Sequence, residues 1–594
     1  MLDFTYLVSL IFVGGVVSGA IASFPPPAAA SSADTLLAQQ AVFPQGNQIV
    51  LNGRSVPASW QQWQGANGIQ TGISDTTLLG VFGLQLLNTQ TPTLQPVQWF
   101  TPANQSFNLP TRITPTQRYL DISSLTNQFG WQTTIAGSTL QISTPASRVV
   151  GIRQSQQPWG DRLVIELDRP APWQTSQGQE FQLNLEAQID PALIQQFKPK
   201  AGRFLSSIAI TPSGNQTRFR LSLSSTVANR VWSLSAPDRI VVDLRPDALI
   251  DQNIVWAPGL RWRQQILNLG NSPIPTVWLE VNPKQSGVSL QPILPNPGTM
   301  TGIAPLAQTA RQAQVAGAIN GGFFNRNRQL PLGAIRLNGE WLSGPILNRG
   351  AIAWDSTGNL TFGRLSLQET VTTQTGQRLP LTHLNSGYIQ AGIARYTSAW
   401  GQTYTSLSDG EIIVFVQNNQ VTGQQAIEKA GAVPVQIPGN GYILVLRSHR
   451  SAAGAFSPGT TLQLESVTNP PEFLRYPQIL AAGPLLLQNQ QIVLDAKAES
   501  FSNAFAIEAA PRSAIAQRAD GTLLLVTAHT RLDGTSLKLL DMAQLLQQLG
   551  AVHALNLDGG SSTTLYLGGR ILDRSPNTAA RVHSGLGIFL LGNP

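Results

Sequence analysis

The sequence predicts a multidomain, β-rich chain: a small N-terminal α+β module, an all-β sandwich, and a larger C-terminal α/β (α+β) domain. Three observations carry that prediction. Short apolar runs with period-two alternation recur along the chain, punctuated by 53 Gly and 40 Pro. One stretch near the C-terminus, roughly Ser536 to Leu549, has helical apolar spacing instead. Charged residues make up only 12% of the chain, against about 25% in an average soluble protein, so Gln, Asn, Ser and Thr form the polar surface. A length of 594 residues suits about three to four domains.

Composition narrows the function classes. A surface of amides and hydroxyls with 13 Trp suits carbohydrate, whose hydroxyls need amide partners and whose faces stack on indole. The net charge of +7 is spread over scattered arginines with no Lys/Arg run, which argues against a nucleic-acid partner. The absence of cysteine excludes disulfides, thiolate catalysis and Cys-ligated zinc.

The elements follow in order. Phe4 to Phe24 is uncharged and apolar, and Pro25-Pro26-Pro27 and the small residues Ala28 to Ala33 come next. Residues 1–33 therefore read as a signal peptide or an uncleaved membrane anchor. Either places the rest in the cell envelope, periplasmic or extracellular, with residues 4–24 as the one membrane contact. A linker covers 34–46. Residues 47–145 form the α+β module: Ile49 to Leu51 is a strand closed by Asn52-Gly53, Asp121 to Phe129 a capped helix with Leu125 and Phe129 on one face, and Thr139 to Ser143 a last strand. Residues 147–247 form the sandwich. Leu163, Ile165 and Leu167 alternate within Arg162 to Asp168, and Arg218 to Leu223 and Arg239 to Arg245 repeat the pattern. Residues 253–594 mix strands such as Ile412 to Val416 and Leu523 to Val526 with the Ser536–Leu549 helix. That helix carries the stripe Leu537, Leu540, Met542, Leu545, Leu546 and Leu549, with Gly550 at C′.

Two glycine motifs stand out in the last region. In Ala554-Leu-Asn556-Leu-Asp558-Gly559-Gly560-Ser561-Ser562 an apolar strand delivers one carboxylate and then turns sharply. Ile319-Asn320-Gly321-Gly322-Phe323-Phe324 has the same style. Together they predict a polar site built from two distant segments, or, read blandly, two tight turns of a Gly-rich β protein.

With Pro331-Leu-Gly333, Ala482-Gly483-Pro484, Pro511-Arg512-Ser-Ala-Ile515 and Arg581-Val582 in order, these motifs resemble the phosphodiester glycosidase family. Its members include an enzyme that removes N-acetylglucosamine from a phosphodiester, and bacterial exported proteins linked to exopolysaccharide. Two departures are visible. Ser561 follows Gly560 with no third glycine, and an Asp-Gly-Arg common before the helix is replaced by Thr527-Ala-His529-Thr-Arg531-Leu-Asp533-Gly534. The repeated Arg-flanked strands and the Trp159-Gly160-Asp161 turn of 147–247 resemble the AMIN domain, which implies targeting to peptidoglycan. The 47–145 module resembles the stalk-type domain at the N-terminus of copper amine oxidases, which binds no copper itself.

The resemblance implies hydrolysis of the C1–O bond of a sugar-1-phosphodiester, with a glycosyl-phosphate polymer as partner. A phosphate monoester is a good leaving group, so a strong general acid matters less than a carboxylate near C1 and cations for phosphate. On that implication Asp558 is the carboxylate, as nucleophile or base, and Glu508 a second one. Arg512 and Arg581 meet the phosphate. Asn320, Asn556, Phe323, Ser561, Ser562 and His529 contact substrate, and Gly321, Gly322, Gly559 and Gly560 offer backbone N–H dipoles. The residues also admit plainer readings: Asp558 as a turn cap or, with Asn556 and Asn320, a ligand to a divalent cation, and Glu508–Arg512 as a surface ion pair. No cofactor is called for. A non-catalytic wall- or polysaccharide-binding or exopolysaccharide-assembly protein on the same fold is the alternative.

Overall fold

The computed structural model describes residues 43–591 apart from 67, 178–179, 225–226 and 432–433. The expected leader at 1–33 and most of the linker lie outside the described residues. The described residues from 44 to 591 form one compact unit, mostly β. No described helix is long and apolar enough to cross a membrane.

Residues 45–143 fold around one nine-stranded sheet with two short helices. The expected helix begins two residues late, at Ser123–Phe129. Asp121 ends a strand instead, and its carboxylate accepts from the N–H and hydroxyl of Ser123. Gly130 closes the helix at φ 66°. Residues 148–244 hold a five-stranded and a four-stranded sheet, and Leu163, Ile165 and Leu167 point into the shared core as the alternation requires.

The C-terminal part positions the site. An antiparallel eight-stranded sheet runs, from its fourth strand, through Leu523–Ala528, Arg512–Arg518, Ala551–Asn556 and Leu485–Gln488. One face carries Ala514, Ala516, Leu524, Val526 and Ala554, which pack under Met542, Ala543, Leu545 and Leu546 of the helix Leu539–Gln548. The opposite face, with Ile515, Leu525 and Leu555, meets a five-stranded sheet that contains Gly317–Asn320 and Gly585–Leu590. The helix starts three residues later than its apolar stripe suggests. The carbonyls of Ser536 and Leu537 accept from Arg531 and Arg512, so those residues serve tertiary contacts rather than a first turn. Leu540 is 48% exposed, outside the buried stripe, while Gly550 sits at φ 83° after the helix as expected.

Candidate active site

The two glycine motifs meet. Asp558 N–H donates to the Gly321 carbonyl (3.1 Å), and Asn320 Nδ2 donates to the Asp558 carbonyl (2.6 Å). Asn320 Oδ1 in turn accepts from the Ser513 hydroxyl (2.7 Å) and Thr564 N–H (3.1 Å). Asn320 is fully buried, with both ends of its amide engaged by protein. It therefore splices three segments and aims the carboxylate, rather than facing a ligand. Asn556 is buried too: Nδ2 donates to the carbonyls of Gly483 and Leu557, and Oδ1 is buried without a partner. Asn320 Oδ1 is thus taken by two donors, and Asn556 Oδ1 belongs to a fully buried side chain. Among the described residues no group of three His, Asp or Glu side chains is placed to hold a metal ion.

The glycines serve close approach rather than ligand binding. A Cβ on Gly322 would lie 2.3 Å from the Ala481 carbonyl oxygen, one on Gly321 2.4 Å from the Ser584 hydroxyl, and one on Gly559 2.8 Å from the Pro511 carbonyl oxygen. Three of the four N–H groups expected to face a ligand are taken by the protein: Gly321 donates to Ser584, Gly560 to Pro511, and Gly559 to Asp558 Oδ1. The missing third glycine leaves the turn intact, since Gly560–Ser562 forms a single 3-10 turn with Gly560 at φ 63°.

Asp558 is the buried carboxylate at the meeting point of the two motifs. Oδ1 accepts the Gly559 N–H (3.0 Å), while the other oxygen has no hydrogen bond of ordinary geometry from the described residues and is not closed off. Burial pushes this carboxyl up to about 6, against the pull of the Ser562 hydroxyl, Arg326 and the Gly559 N–H, with Glu508 adding to the rise. The Ser562 hydroxyl is buried beside the carboxylate without reaching bonding geometry, and it has no other partner. Ser561 is exposed, and its carbonyl receives Ala580 N–H and Arg574.

The other predicted residues fall in different places. Glu508 is exposed, just past the short helix Asn503–Ile507, near enough for its charge to act on Asp558 and Arg512. Arg512 is 1% exposed, and its Nε and Nη2 donate to the backbone carbonyls of Leu537 and Glu508. It is not an exposed ion pair; it holds the segment that bears Glu508. Burial lowers its pKa. Arg581 is exposed on a two-residue strand, and Arg326 is the arginine whose charge acts on Asp558. His529 follows Ala528, the cross-strand partner of Arg512, and its Nε2 lies 2.8 Å from Asp573, a carboxylate fully buried against Leu565 N–H.

Phe323, an expected substrate contact, belongs to an aromatic cluster that the sequence did not signal. Phe323 packs against Phe501 and Phe505 with ring centroids 5.4 and 5.5 Å away. Arg349 lies over the same cluster. Arg326 stands two residues after the Asn320–Phe324 motif, so adjacency was an available signal. Arg349, Phe501 and Phe505 belong to no motif, and only the chain's crossing brings them here.

The profile of the phosphodiester glycosidase family matches residues 410–589. That span includes Glu508, Arg512 and Asp558 but not Asn320–Phe323 or Arg349. A solved structure of a hypothetical protein from Synechocystis is 43% identical, with a TM-score of 0.85, over 92% of this chain and 99% of that one. A Burkholderia pseudomallei protein described as exported is 18% identical, TM-score 0.46, over 75% of this chain and 98% of that one. The catalytic domain of zebrafish N-acetylglucosamine-1-phosphodiester alpha-N-acetylglucosaminidase, auto-inhibited by its pro-peptide, is 13% identical, TM-score 0.30, over 57% and 85%. No curated protein matches the chain.

Proposed function

We propose a hydrolytic function for this chain, which belongs to the same family as the Synechocystis protein and whose residues 410–589 match the phosphodiester glycosidase family. The substrate class is a sugar-1-phosphodiester in an envelope or extracellular polysaccharide, and the bond cleaved is the glycosyl C1–O bond. The observation that carries this reading is Asp558: a carboxylate fixed by two glycine motifs, with one oxygen open and its pKa pushed up to about 6. Such a group is ionised at neutral pH yet basic enough to take a proton.

The step balances with these groups. The C1–O bond breaks and its electron pair goes to the phosphate oxygen, which leaves as a monoester. Water supplies the oxygen that ends on C1, and its proton passes to a carboxylate. Asp558 acts as base toward that water, or as nucleophile with water completing a second displacement, and both roles need its ionised form. Glu508, the second carboxylate in electrostatic reach, is open to solvent and suited to exchange the proton. Arg326, whose charge acts on Asp558, is suited to assist departure of the phosphate. Arg512 and Asn320 position these groups.

A glycan-binding role without catalysis is the second reading, and the sandwich favours it. There Arg245, Trp159, Arg162, Trp232 and Arg230 stack alternately, with guanidinium-to-ring distances of 4.7, 5.2, 5.5 and 4.7 Å. Half-exposed indoles between cations suit retention on a wall polymer such as peptidoglycan, as expected for an exported envelope protein. The experiment that separates the readings incubates the chain and Asp558→Ala with sugar-1-phosphodiesters and follows free sugar. Release by the parent that falls at least about a hundredfold in the variant supports the hydrolase; binding without release supports the second reading.

A further inference from the structure

We infer that Arg349 reads the phosphate group in this site, held for that purpose against the rings of Phe501 and Phe323. The inference rests on the hydrolytic reading and adds the residue that sets its preference for an anionic leaving group. Arg349 Cζ lies 4.2 Å from the Phe501 centroid and 5.6 Å from that of Phe323. A flat guanidinium stacked on rings keeps its edge for hydrogen bonds.

That edge is nearly idle. Nη1 reaches the Leu332 carbonyl only at 3.4 Å, Nε is buried without a partner, and Nη2 has none among the described residues. No carboxylate bonds to Arg349 among the described residues; the carboxylate whose charge acts on it is Glu499. Glu499 is already engaged by Arg364 and by the N–H groups of Gly350 and Leu485. Two other arginines of this domain, Arg336 and Arg512, are not left so, although Arg230 in the sandwich also has a buried Nε without a partner. Arg336 donates to the carbonyls of Gly339, Leu474 and Tyr476, and Arg512 to those of Leu537 and Glu508. A desolvated guanidinium with idle donors is relieved by an anion, and phosphate oxygens match its fork.

The position fits as well. Arg349 precedes Gly350, whose carbonyl accepts Ala482 N–H. A side chain at Gly322 would strike the Ala481 carbonyl and touch Ala482, and the neighbouring Gly321 carbonyl holds Asp558. The segments that bear Arg349 and Asp558 are thus linked through Ala481–Ala482 and Gly321–Gly322, with the Phe323 ring beside the arginine. Asp558 meets C1, and Arg349 takes the phosphate on the leaving side.

The test uses the full chain with Arg349→Met, which keeps the stem on the rings, and Arg349→Lys, which keeps the charge without the fork. Thermal melting checks that each folds. The first readout is kcat/KM on a sugar-1-phosphodiester and on the nitrophenyl glycoside of the same sugar, whose leaving group has no phosphate. The second is calorimetric titration with inorganic phosphate, which needs no turnover. Arg349→Met is expected to lose about a hundredfold on the diester and less than about threefold on the nitrophenyl glycoside, and to stop binding phosphate. Arg349→Lys is expected to fall between. Equal losses on both substrates, or unchanged phosphate binding, overturns the inference. If the parent turns over neither substrate, the hydrolytic reading fails. The phosphate titration then decides alone: binding lost in Arg349→Met upholds the anion site, and no difference overturns it.

Discussion

Glu499 and Asp558 lie in the same domain, and burial pushes both carboxyls above the usual range, yet their surroundings differ in kind. Glu499 is fully buried. One oxygen accepts from Arg364 (3.0 Å) and Leu485 N–H (2.9 Å), the other from Gly350 N–H (2.7 Å). Asp558 keeps one oxygen on its own neighbour's N–H and leaves the other open. The first arrangement staples strands; the second holds a group ready for something outside the protein. A raised pKa alone does not separate them, and the hydrogen-bond partners do.

The largest expected effect divides the pair. Asp558→Asn should fold and lose turnover on the order of a thousandfold. Glu499→Gln should instead cost about 2–4 kcal/mol of stability, because its amide turns donors toward backbone N–H groups and leaves Arg364 unpaired. Turnover of its folded fraction should stay within about threefold. Denaturant unfolding and single-substrate kinetics on both variants check this.

The motifs offer the next contrast. Gly322→Ala puts a methyl 2.3 Å from a backbone oxygen and should cost about 2–3 kcal/mol. Gly560→Ala meets nothing within 4 Å but must hold φ +63°, for about 1 kcal/mol. Equal costs, measured by unfolding, would contradict the close-approach account of the first motif.

A smaller effect follows from linkage. The folded pKa of Asp558, about 6, exceeds the unfolded value near 3.9, so the native state prefers the protonated form. The penalty is fully present above the folded value and fades as pH falls toward the unfolded one. Asp558→Asn should therefore be about 1–2 kcal/mol more stable than the parent at pH 8, and no more stable near pH 4. Thermal melts at the two pH values sharpen the comparison, since Glu499→Gln should destabilise at both. The smallest change is Ser562→Ala. Its hydroxyl faces the carboxylate without a formed bond, so loss should raise the Asp558 pKa by less than about one unit.

Much of this was legible in the sequence where one local rule suffices. Alternation placed Leu163, Ile165 and Leu167 in a core, and Gly550 marked a helix end. The helix start was not legible, because the carbonyls of Ser536 and Leu537 are taken by arginines from elsewhere. At the candidate site, the Asn-Leu-Asp-Gly-Gly run marked out Asp558, and the fold sets it against the Asn-Gly-Gly motif. Arg349 and Glu499 carried no pattern, because their surroundings arise where segments well over a hundred residues apart cross: Glu499 bonds Gly350, beside the arginine. The predicted cations Arg512 and Arg581 had the right chemistry, but one is engaged by backbone carbonyls and the other lies exposed.

The most direct test of Asp558 as the reacting carboxylate is the pH profile of kcat/KM on a sugar-1-phosphodiester from pH 4.5 to 8. The account predicts a rate that rises with unit slope and levels off through about pH 6, with that limb gone from the residual activity of Asp558→Asn. A profile flat across the range, with Asp558→Asn retaining the parent's rate, would contradict it.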